Sequence, residues 1–187
     1  VGARYASPGV VPMTGAAYVY RFDPVLSNWA YEDTLVPPAG GTMDSFGFSV
    51  AIDGERIIVG SPQRDWFGAI ADGGVAHIYE WNAGLGTWPH RSTFTANVAS
   101  VDAWFGYAVD ISGDWVLVGA PGEATWRGTV YPARLVPGSI LPYGPIRAVD
   151  GTAWDSFGEA VGIDGHDFAV GAPDDDDLGV HSGAAYR

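Results

Sequence analysis

The amino-acid sequence predicts an all-β protein, a β-propeller of four-stranded antiparallel blades of which about 3.5 are present. The first observation is a block that occurs three times without gaps, at residues 46–62, 105–121 and 157–173. The blocks share Phe, Gly, Val, Ile, Gly, Val, Gly and Pro at fixed positions, and repeats of this spacing are typical of propellers and arrays. The second observation is the two-residue periodicity of the apolar runs, with which no helical periodicity competes.

The block itself predicts the first two strands of each repeat. Apolar residues alternate with small ones from Phe46 to Ile52, which is the pattern of a strand. Asp53-Gly54 follows and predicts a tight hairpin of type I′, a turn that needs positive φ at both central residues. The run from Arg56 predicts the second strand, which ends before Pro62 because proline has no amide hydrogen to donate. The equivalent hairpin pairs are Ser112-Gly113 and Asp164-Gly165.

The third and fourth strands flank the block. An apolar segment led by glycine follows each block and predicts the third strand; these segments begin at Gly15, Gly74, Gly128 and Gly183. Residues 29–36 and 88–94 predict fourth strands. Pro132 lies inside the third strand of one repeat, and we expect a bulge there. Four antiparallel strands in a period of roughly 50 residues make one propeller blade.

The repeats fill the chain as a single domain, with boundaries near residues 1–36, 37–95, 96–148 and 149–187. The first and last repeats are partial, because Val1-Gly2-Ala3 matches Val170-Gly171-Ala172 in phase. Both ends therefore carry the second and third strands, and neither completes the other. Since a ring usually needs four to eight blades, we expect a larger assembly. Its remainder is either the rest of a longer propeller chain or another copy of this one.

Charge and composition limit the partners. The net charge is −13, and all nine basic residues are arginine. Such an acidic chain repels phosphate backbones, so nucleic acid and anionic membrane surfaces are disfavoured as partners. No apolar run reaches the roughly 18 residues that a spanning helix needs, so we expect no membrane insertion. Cysteine is absent, which excludes disulfides and thiolate metal sites.

The repeated motif resembles the FG-GAP repeat family, the repeats of the integrin α-subunit propeller and of many bacterial surface proteins, and the bacterial form is the most similar. The residues that carry the resemblance are Phe46, Gly47, Gly60, Pro62, Phe105, Gly106, Gly119, Pro121, Phe157, Gly158, Gly171 and Pro173. The resemblance implies a propeller that is usually extracellular or on the cell surface and serves as a binding or adhesion platform. It names no ligand.

Calcium is the one cofactor to consider. Integrin-type repeats carry a calcium loop between the first two strands, but the hairpins here are too short to supply six to eight oxygens to an ion. The alternative cation site is the run Asp174, Asp175, Asp176 and Asp177, in the loop between the second and third strands. A solvated acidic turn explains this run as well, because no other repeat offers the same ligand set.

Aromatic residues in the loops are the candidate ligand contacts. Trp66, Phe67 and Trp126 lie between second and third strands, where exposed rings stack on sugars or anchor a protein partner. Packing at the blade edge is the alternative for them. It is the favoured interpretation for Trp104 and Trp154, which lie just before a Phe-Gly pair. The Phe-Gly glycines themselves are expected where backbones approach closely, with each phenylalanine packed between neighbouring blades.

The sequence contains no catalytic motif. The four histidines are scattered, and neither a G-x-S-x-G serine nor a phosphate-binding glycine loop occurs. We therefore expect no enzymatic activity. Two functions stay open. One is an extracellular binding or adhesion module that presents its loops to a protein or glycan ligand, and the other is a structural component of a larger surface protein or self-associating ring.

Overall fold

A computed structural model describes residues 1–65, 70–97 and 100–187. The strands in these residues are β1 Gly2–Ala3, β2 Ala16–Asp23, β3 Asn28–Leu35, β4 Val50–Asp53, β5 Arg56–Ser61, β6 Val75–Glu80, β7 His90–Phe94, β8 Ala108–Ser112, β9 Trp115–Ala120, β10 Thr129–Val136, β11 Ser139–Pro142, β12 Ala160–Asp164, β13 Asp167–Ala172 and β14 Ala184–Tyr186. A four-residue turn, Glu123–Trp126, in which the last three residues have positive φ, separates β9 from β10. The all-β prediction is confirmed.

The strands form four antiparallel sheets in chain order, and each sheet is one blade. Blade 1 is β1-β2-β3, blade 2 is β4-β5-β6-β7, blade 3 is β8-β9-β10-β11 and blade 4 is β12-β13-β14. The described residues thus form two four-stranded blades between two three-stranded ones. Each sheet lies within one predicted repeat, and the propeller-blade architecture agrees with the predicted fold class.

The hairpin loops lie one residue later in the chain than predicted, and their turn type is not the predicted type I′. Asp53 pairs with Arg56, so the two loop residues are Gly54 and Glu55 rather than Asp53 and Gly54. Only the glycine has positive φ, at 56°. A glycine at the first central position is the pattern of a type II′ turn, which also matches the twist of the flanking strands. The other two hairpins repeat this arrangement at Gly113 and Gly165.

The alternation of apolar and small residues had predicted that the Phe-Gly pairs begin the first strands. That prediction is wrong, because the pairs form turns. β4 begins only at Val50, and Phe46 instead makes a parallel bridge with Gly15 of the preceding blade. Gly47 has a φ of 83°, which a strand residue does not adopt. We call the three pairs the FG turns, and the contact between successive blades a junction. The other two bridges join Gly74 to Phe105 and Gly128 to Phe157.

The expected bulge at Pro132 is absent from its pairing with β9, which is continuous. The carbonyl of Pro132 accepts a hydrogen bond from the amide of Tyr143 at 3.0 Å. The side of Pro132 that lacks an amide hydrogen therefore faces the outer strand. β11 ends at Pro142, and pairing resumes only as a bridge between Val130 and Ile146. The interruption in pairing falls between β10 and the outer strand β11, so no hydrogen bond between β10 and β9 is lost.

The phenylalanines of the FG turns fill the cores between blades. Phe46, Phe105 and Phe157 are at most 2% exposed. Phe105 packs between the ring of Phe94 in blade 2, with centroids 5.1 Å apart, and that of Tyr131 in blade 3, at 5.2 Å. Losing such a ring typically costs roughly 3–5 kcal/mol. Each FG turn therefore joins two blades through one buried side chain.

The junction glycines lie where backbones meet. A Cβ added to Gly60 would stand 1.9 Å from the carbonyl oxygen of Gly106, and one added to Gly119 would stand 2.0 Å from that of Gly158. Neither Gly60 nor Gly119 has positive φ. Glycine is required at these two positions because the next blade leaves no room for a side chain.

Blade 1 has no first strand among the described residues, and an apolar groove of about 410 Å³ lies beside β2. Its walls include Val19 and Trp29 of blade 1 and Val50 and Ile52 of blade 2. Ile52 is 59% exposed, although a complete neighbouring blade would cover it. No helix in the described part of the chain is long and apolar enough to cross a membrane.

Candidate ligand-binding cleft

In blades 1, 2 and 3, the loop between the second and the third strand is hydrogen-bonded to the FG turn of the following blade, or to the segment just before that turn. Between blades 3 and 4, the amide of Ser156 donates to the carbonyl of Trp126 at 2.8 Å, and that of Phe157 donates to Arg127 at 3.2 Å. Between blades 2 and 3, the amide of Trp104 donates to Asp72 at 3.0 Å in the same way. These paired loops lie at one end of the blades, which we call the loop face.

The paired loops contain left-handed residues at three recurring positions. Trp126 has φ 61°, Trp154 has φ 79° and Ser156 has φ 59°. Such values are uncommon outside glycine and persist only where surrounding contacts hold them. The equivalent left-handed residues elsewhere are Met13, Asp72 and His181 for the first position, Met43 and Asp102 for the second, and Ser45 and Trp104 for the third. The backbone geometry belongs to the repeat, whereas the side chains at these positions differ from junction to junction.

Aromatic rings form a continuous row across the loop face. Trp126 meets Trp104 edge-on at 4.7 Å and lies parallel to Trp154, with centroids 6.3 Å apart and planes 9° apart. Trp104 in turn stacks on Tyr107 at 5.7 Å, and Tyr107 contacts Phe48 at 4.7 Å. The row therefore joins blades 2, 3 and 4, and the predicted contact Trp126 lies within it.

The row ends in a cleft of about 440 Å³ at the junction of blades 3 and 4. We call it the aromatic cleft; its lining residues are Trp126, Trp154, Ser156, Glu159, Asp174 and His181. Trp154 is 63% exposed, so the packing expected for it from the sequence is wrong. Its left-handed backbone turns the side chain out of the blade, and local sequence gives no sign of that conformation. Trp104 is half-buried, in agreement with a packing role.

Two carboxylates give the aromatic cleft its polarity. The hydroxyl of Ser156 donates to Asp174 Oδ2 at 3.1 Å, and His181 Nδ1 lies 3.4 Å from Asp174 Oδ1. Burial raises the pKa of Glu159, and the charge of Asp174 raises it further. Oxygen acceptors therefore stand beside an exposed indole face, an arrangement that suits a ligand with an apolar surface and hydroxyl donors.

The four consecutive aspartates do not converge on one point. Asp174 points into the aromatic cleft, while Asp175 is 3% exposed and accepts a hydrogen bond from the Tyr186 hydroxyl at 2.7 Å. Asp176 and Asp177 are exposed. In the described ranges, no group of three or more His, Cys, Asp or Glu is arranged to hold a metal ion. Calcium binding at this run stays a prediction to which the arrangement lends no support.

Asp175 anchors its loop, and Glu123 does the same in blade 3. Glu123 accepts a hydrogen bond from the Tyr131 hydroxyl at 2.5 Å and contacts Arg147 at 2.9 Å. Burial, followed by the interaction with Glu123, raises the pKa of Tyr131. The two tyrosines occupy the same position in their third strands, so the loops that carry Trp126 and Asp174 are fixed to the blades by one repeated contact.

Two predicted contacts cannot be placed relative to the site, and some of the residues that line it were not predicted. Trp66 and Phe67 fall outside the described residues. Glu159, Trp154 and His181 line the aromatic cleft but were not predicted as contacts. One sequence signal was available for Glu159: it stands two residues after its phenylalanine, where the other repeats have the aromatic residues Phe48 and Tyr107.

Asp44 and Asp155 were also missed, although both open an Asp-Ser-Phe-Gly sequence. Both are buried, and Asp44 accepts a hydrogen bond from the Gly41 amide at 2.6 Å. Asp155 accepts one from the Thr152 hydroxyl at 2.9 Å. Burial raises the pKa of Asp44, which the Gly41 hydrogen bond opposes. These carboxylates hold the segment before the FG turn.

Comparison with protein families gives a match along most of the chain. The family described as FG-GAP repeat matches residues 29–79, 88–131 and 145–186, well over half of the chain. Each matched segment runs from the fourth-strand region of one blade to the third strand of the next and so includes one FG turn and one junction. No curated protein matches the chain.

Proposed function

Because the chain belongs to the FG-GAP repeat family, we propose that it is a non-catalytic binding module that takes a neutral glycan in the aromatic cleft. Propellers of this family are generally not enzymes and are typical of extracellular or cell-surface proteins. We accordingly place the protein outside the cell or on its surface. Adhesion through a glycan or a glycosylated partner protein is the role that this setting favours.

The observation that carries the proposal is the exposed Trp154 ring beside Asp174 and Glu159. A flat indole face suits the apolar face of a pyranose ring, and the carboxylates accept hydrogen bonds from its hydroxyl groups. The parallel Trp126 ring behind Trp154 limits how that indole can turn. The site therefore offers both the stacking surface and the acceptors that sugar recognition needs.

Charge favours a neutral glycan over an acidic one. The chain has a net charge of −13, and the two carboxylates of the aromatic cleft would repel a uronic acid or sulfate group. Among the described residues that line the cleft, His181 is the one basic side chain, and it already lies against Asp174. An acidic polysaccharide would therefore meet unfavourable charge from these described residues.

The test is a titration of tryptophan fluorescence with neutral oligosaccharides, after a screen on a glycan array. We expect saturable binding that Trp154→Ala weakens at least tenfold, because stacking is lost. Trp29→Ala is the matched control: Trp29 is 67% exposed but lies on β3, away from the cleft. Absence of binding to any neutral glycan, or equal losses in both variants, would contradict the proposal.

A structural role in a larger assembly is the second candidate, and the apolar groove beside β2 favours it. Val50 is 38% exposed and Ile52 is 59% exposed. The surface of a monomeric protein seldom exposes apolar side chains together in one groove. Static light scattering of the purified chain tests this role. Self-association that Ile52→Asp abolishes would support it, and a stable monomer of 19.7 kDa at all concentrations would contradict self-association.

A further inference from the structure

We propose that the junction of blades 1 and 2 is sensitive to acid and opens when a pair of facing histidines, His77 and His90, takes up protons. Opening means here that the FG turn at Phe46 separates from blade 1. This opening is independent of glycan binding, because neither histidine lines the aromatic cleft.

His77 lies in the core between the two blades. It is 1% exposed on β6, and its ring centroid lies 5.4 Å from that of Phe46, the buried residue of the first FG turn. Its Nε2 atom is buried and, among the described residues, has no hydrogen-bond partner. A charged imidazole at this place loses its hydration and gains no acceptor for Nε2, so the closed junction favours the neutral ring.

His90 of β7 faces this imidazole directly. Nε2 of His90 lies 3.5 Å from Nδ1 of His77, and the hydroxyl of Thr93 lies 3.2 Å and 3.3 Å from these two nitrogens. A neutral imidazole offers one nitrogen as a donor and the other as an acceptor, whereas both nitrogens of a protonated ring are donors. Two protonated rings would therefore turn like charges and donors toward each other, and the contact holds only while one ring stays neutral.

Burial and nearby charge both oppose protonation of the pair. Burial, followed by the charges of His90 and Arg64, lowers the pKa of His77 to about 3. Burial also lowers the pKa of His90, which a backbone hydrogen bond with Ser92 opposes. In the part of the chain that the structure describes, neither histidine forms an ion pair with a carboxylate. Protonation of both rings would thus place three positive charges, with that of Arg64, at one junction.

The other titratable groups around the pair do not offset these charges. Asp44, just before the FG turn, lies 3.4 Å from Arg64 and is already engaged with it. Burial raises the pKa of Asp44, so acid weakens this negative charge. Tyr79 packs on His90 with ring centroids 5.4 Å apart, and burial raises its pKa, so it stays uncharged in acid.

The equivalent positions in the other blades hold a different contact. Where blade 2 has His77 and Arg64, blade 3 has Tyr131 and Glu123, whose side chains are hydrogen-bonded at 2.5 Å. Blade 4 repeats this contact between a tyrosine and a carboxylate at 2.7 Å. Blade 2 therefore has two basic side chains in place of the anchor, at its junction with blade 1.

Acid favours the open junction because only the open form binds these protons. Opening exposes both rings to water, where the pKa of an imidazole is about 6.5. Below that pH the open population rises up to about tenfold per pH unit for each histidine, until the closed form is protonated as well. Between pH 7 and pH 4.5, His77 alone should raise this population roughly 70-fold. The junction is therefore closed at neutral pH and opens in an acidified setting, with blades 2, 3 and 4 still joined.

The test is amide hydrogen exchange, measured by NMR at pH 7 and pH 4.5 and expressed as protection factors, which remove the pH dependence of the exchange chemistry. The amides of Met43 and Phe46 each donate to blade 1 at 3.1 Å. We expect their protection to fall roughly 50-fold or more, while protection at Phe105 and Phe157, which donate across the other two junctions, falls less than about threefold. No loss at Phe46, or an equal loss at all three phenylalanines, would overturn the proposal.

Two variants identify the histidine as the cause. His77→Tyr carries the tyrosine of the other blades, and His77→Gln carries a polar side chain that does not titrate; each should reduce the loss at Phe46 at least about fivefold relative to the parent chain. His166→Gln is the matched control, because His166 is exposed beside Trp115, away from blade 1. A full loss at Phe46 in both His77 variants, or an equal reduction in the control, would contradict the proposal.

Discussion

The junction glycines show how a single missing side chain positions a whole blade. Glycine at position 119 is dictated by the carbonyl of Gly158 and not by backbone conformation. Glycine occurs at this position in all three blocks, so the sequence alone does not show which of the three glycines contacts a neighbouring blade. That distinction needs the structure, which assigns a close contact to Gly60 and Gly119 and none from another blade to Gly171.

Gly119→Ala should therefore destabilise the chain far more than Gly171→Ala. The added methyl at position 119 would overlap the Gly158 carbonyl, and overpacking of this kind costs about 1–3 kcal/mol or more. At position 171 the methyl meets one alanine side chain, and we expect a change within about 0.5 kcal/mol. Urea unfolding followed by fluorescence measures both. Equal losses in the two variants would contradict the assigned junction.

His77 provides a pH-dependent test at the same scale. It is 1% exposed on β6, with Nδ1 3.5 Å from His90 Nε2, and burial, followed by the charges of His90 and Arg64, lowers its pKa to about 3. Because the folded pKa lies below that of the unfolded chain, only the unfolded state gains this proton as the pH falls through 6.5. The free energy of unfolding should then drop by about 1.4 kcal/mol per pH unit from this residue.

His77→Tyr removes this contribution and inserts the residue that blades 1, 3 and 4 carry at the equivalent position. Between pH 6 and pH 4 the variant should lose less stability than the parent chain, as measured by urea unfolding at each pH. Parallel curves for the two proteins would show that His77 does not titrate with a lowered pKa.

At the scale of elements, the strands of a blade can be predicted from the sequence, whereas the conformations of the loops cannot. Alternation, glycine-led segments and terminal prolines located most of the strands, because each rule acts within a few residues, but they did not predict β11 at Ser139–Pro142. The type of the hairpin at Gly54, the FG turn at Phe46 and the exposed ring of Trp154 were missed. The FG turn at Phe46 and the backbone at Trp154 depend on contacts with the preceding blade, where their amides donate to the carbonyls of Thr14 and Thr125. The aromatic cleft is assembled from two blades, which explains why only Trp126 and Asp174 were among its predicted residues.

The loop anchors predict different roles for adjacent aspartates. Asp175 is buried and bonded to Tyr186, whereas Asp176 is exposed. Asp175→Ala removes the buried carboxylate that accepts from the Tyr186 hydroxyl and the Asp177 amide, leaves that hydroxyl only Asp150, and should cost about 1–3 kcal/mol. Asp176→Ala, the matched control, should change stability by less than about 0.5 kcal/mol. Thermal unfolding by circular dichroism distinguishes them, and a larger loss in the control would refute the anchoring role.

At the scale of the whole molecule, we predict that stability depends little on divalent ions. The two-residue hairpins cannot enclose calcium, and Asp174 and Asp175 are bonded to different partners, Ser156 and Tyr186. Chelation with EDTA should lower the Tm by no more than a few degrees. A site occupied at a hundredfold excess over its Kd would contribute about 2.7 kcal/mol, or a drop of roughly 5–10 °C on chelation. A drop of that size, abolished when residues 174–177 are all changed to Asn, would establish the calcium site.

The molecule is a series of junctions between successive blades. At each junction, a paired loop and FG turn hold one blade against the preceding blade and present their side chains on the loop face. Amide hydrogen exchange, measured residue by residue by NMR, tests this most directly. The amides of Phe46, Phe105 and Phe157 each donate across a junction, to Thr14, Gly73 and Arg127. We predict that all three exchange as slowly as the central strands β5 and β9. Rapid exchange at these amides beside protected strands would show that the blades are independent, and would contradict the account.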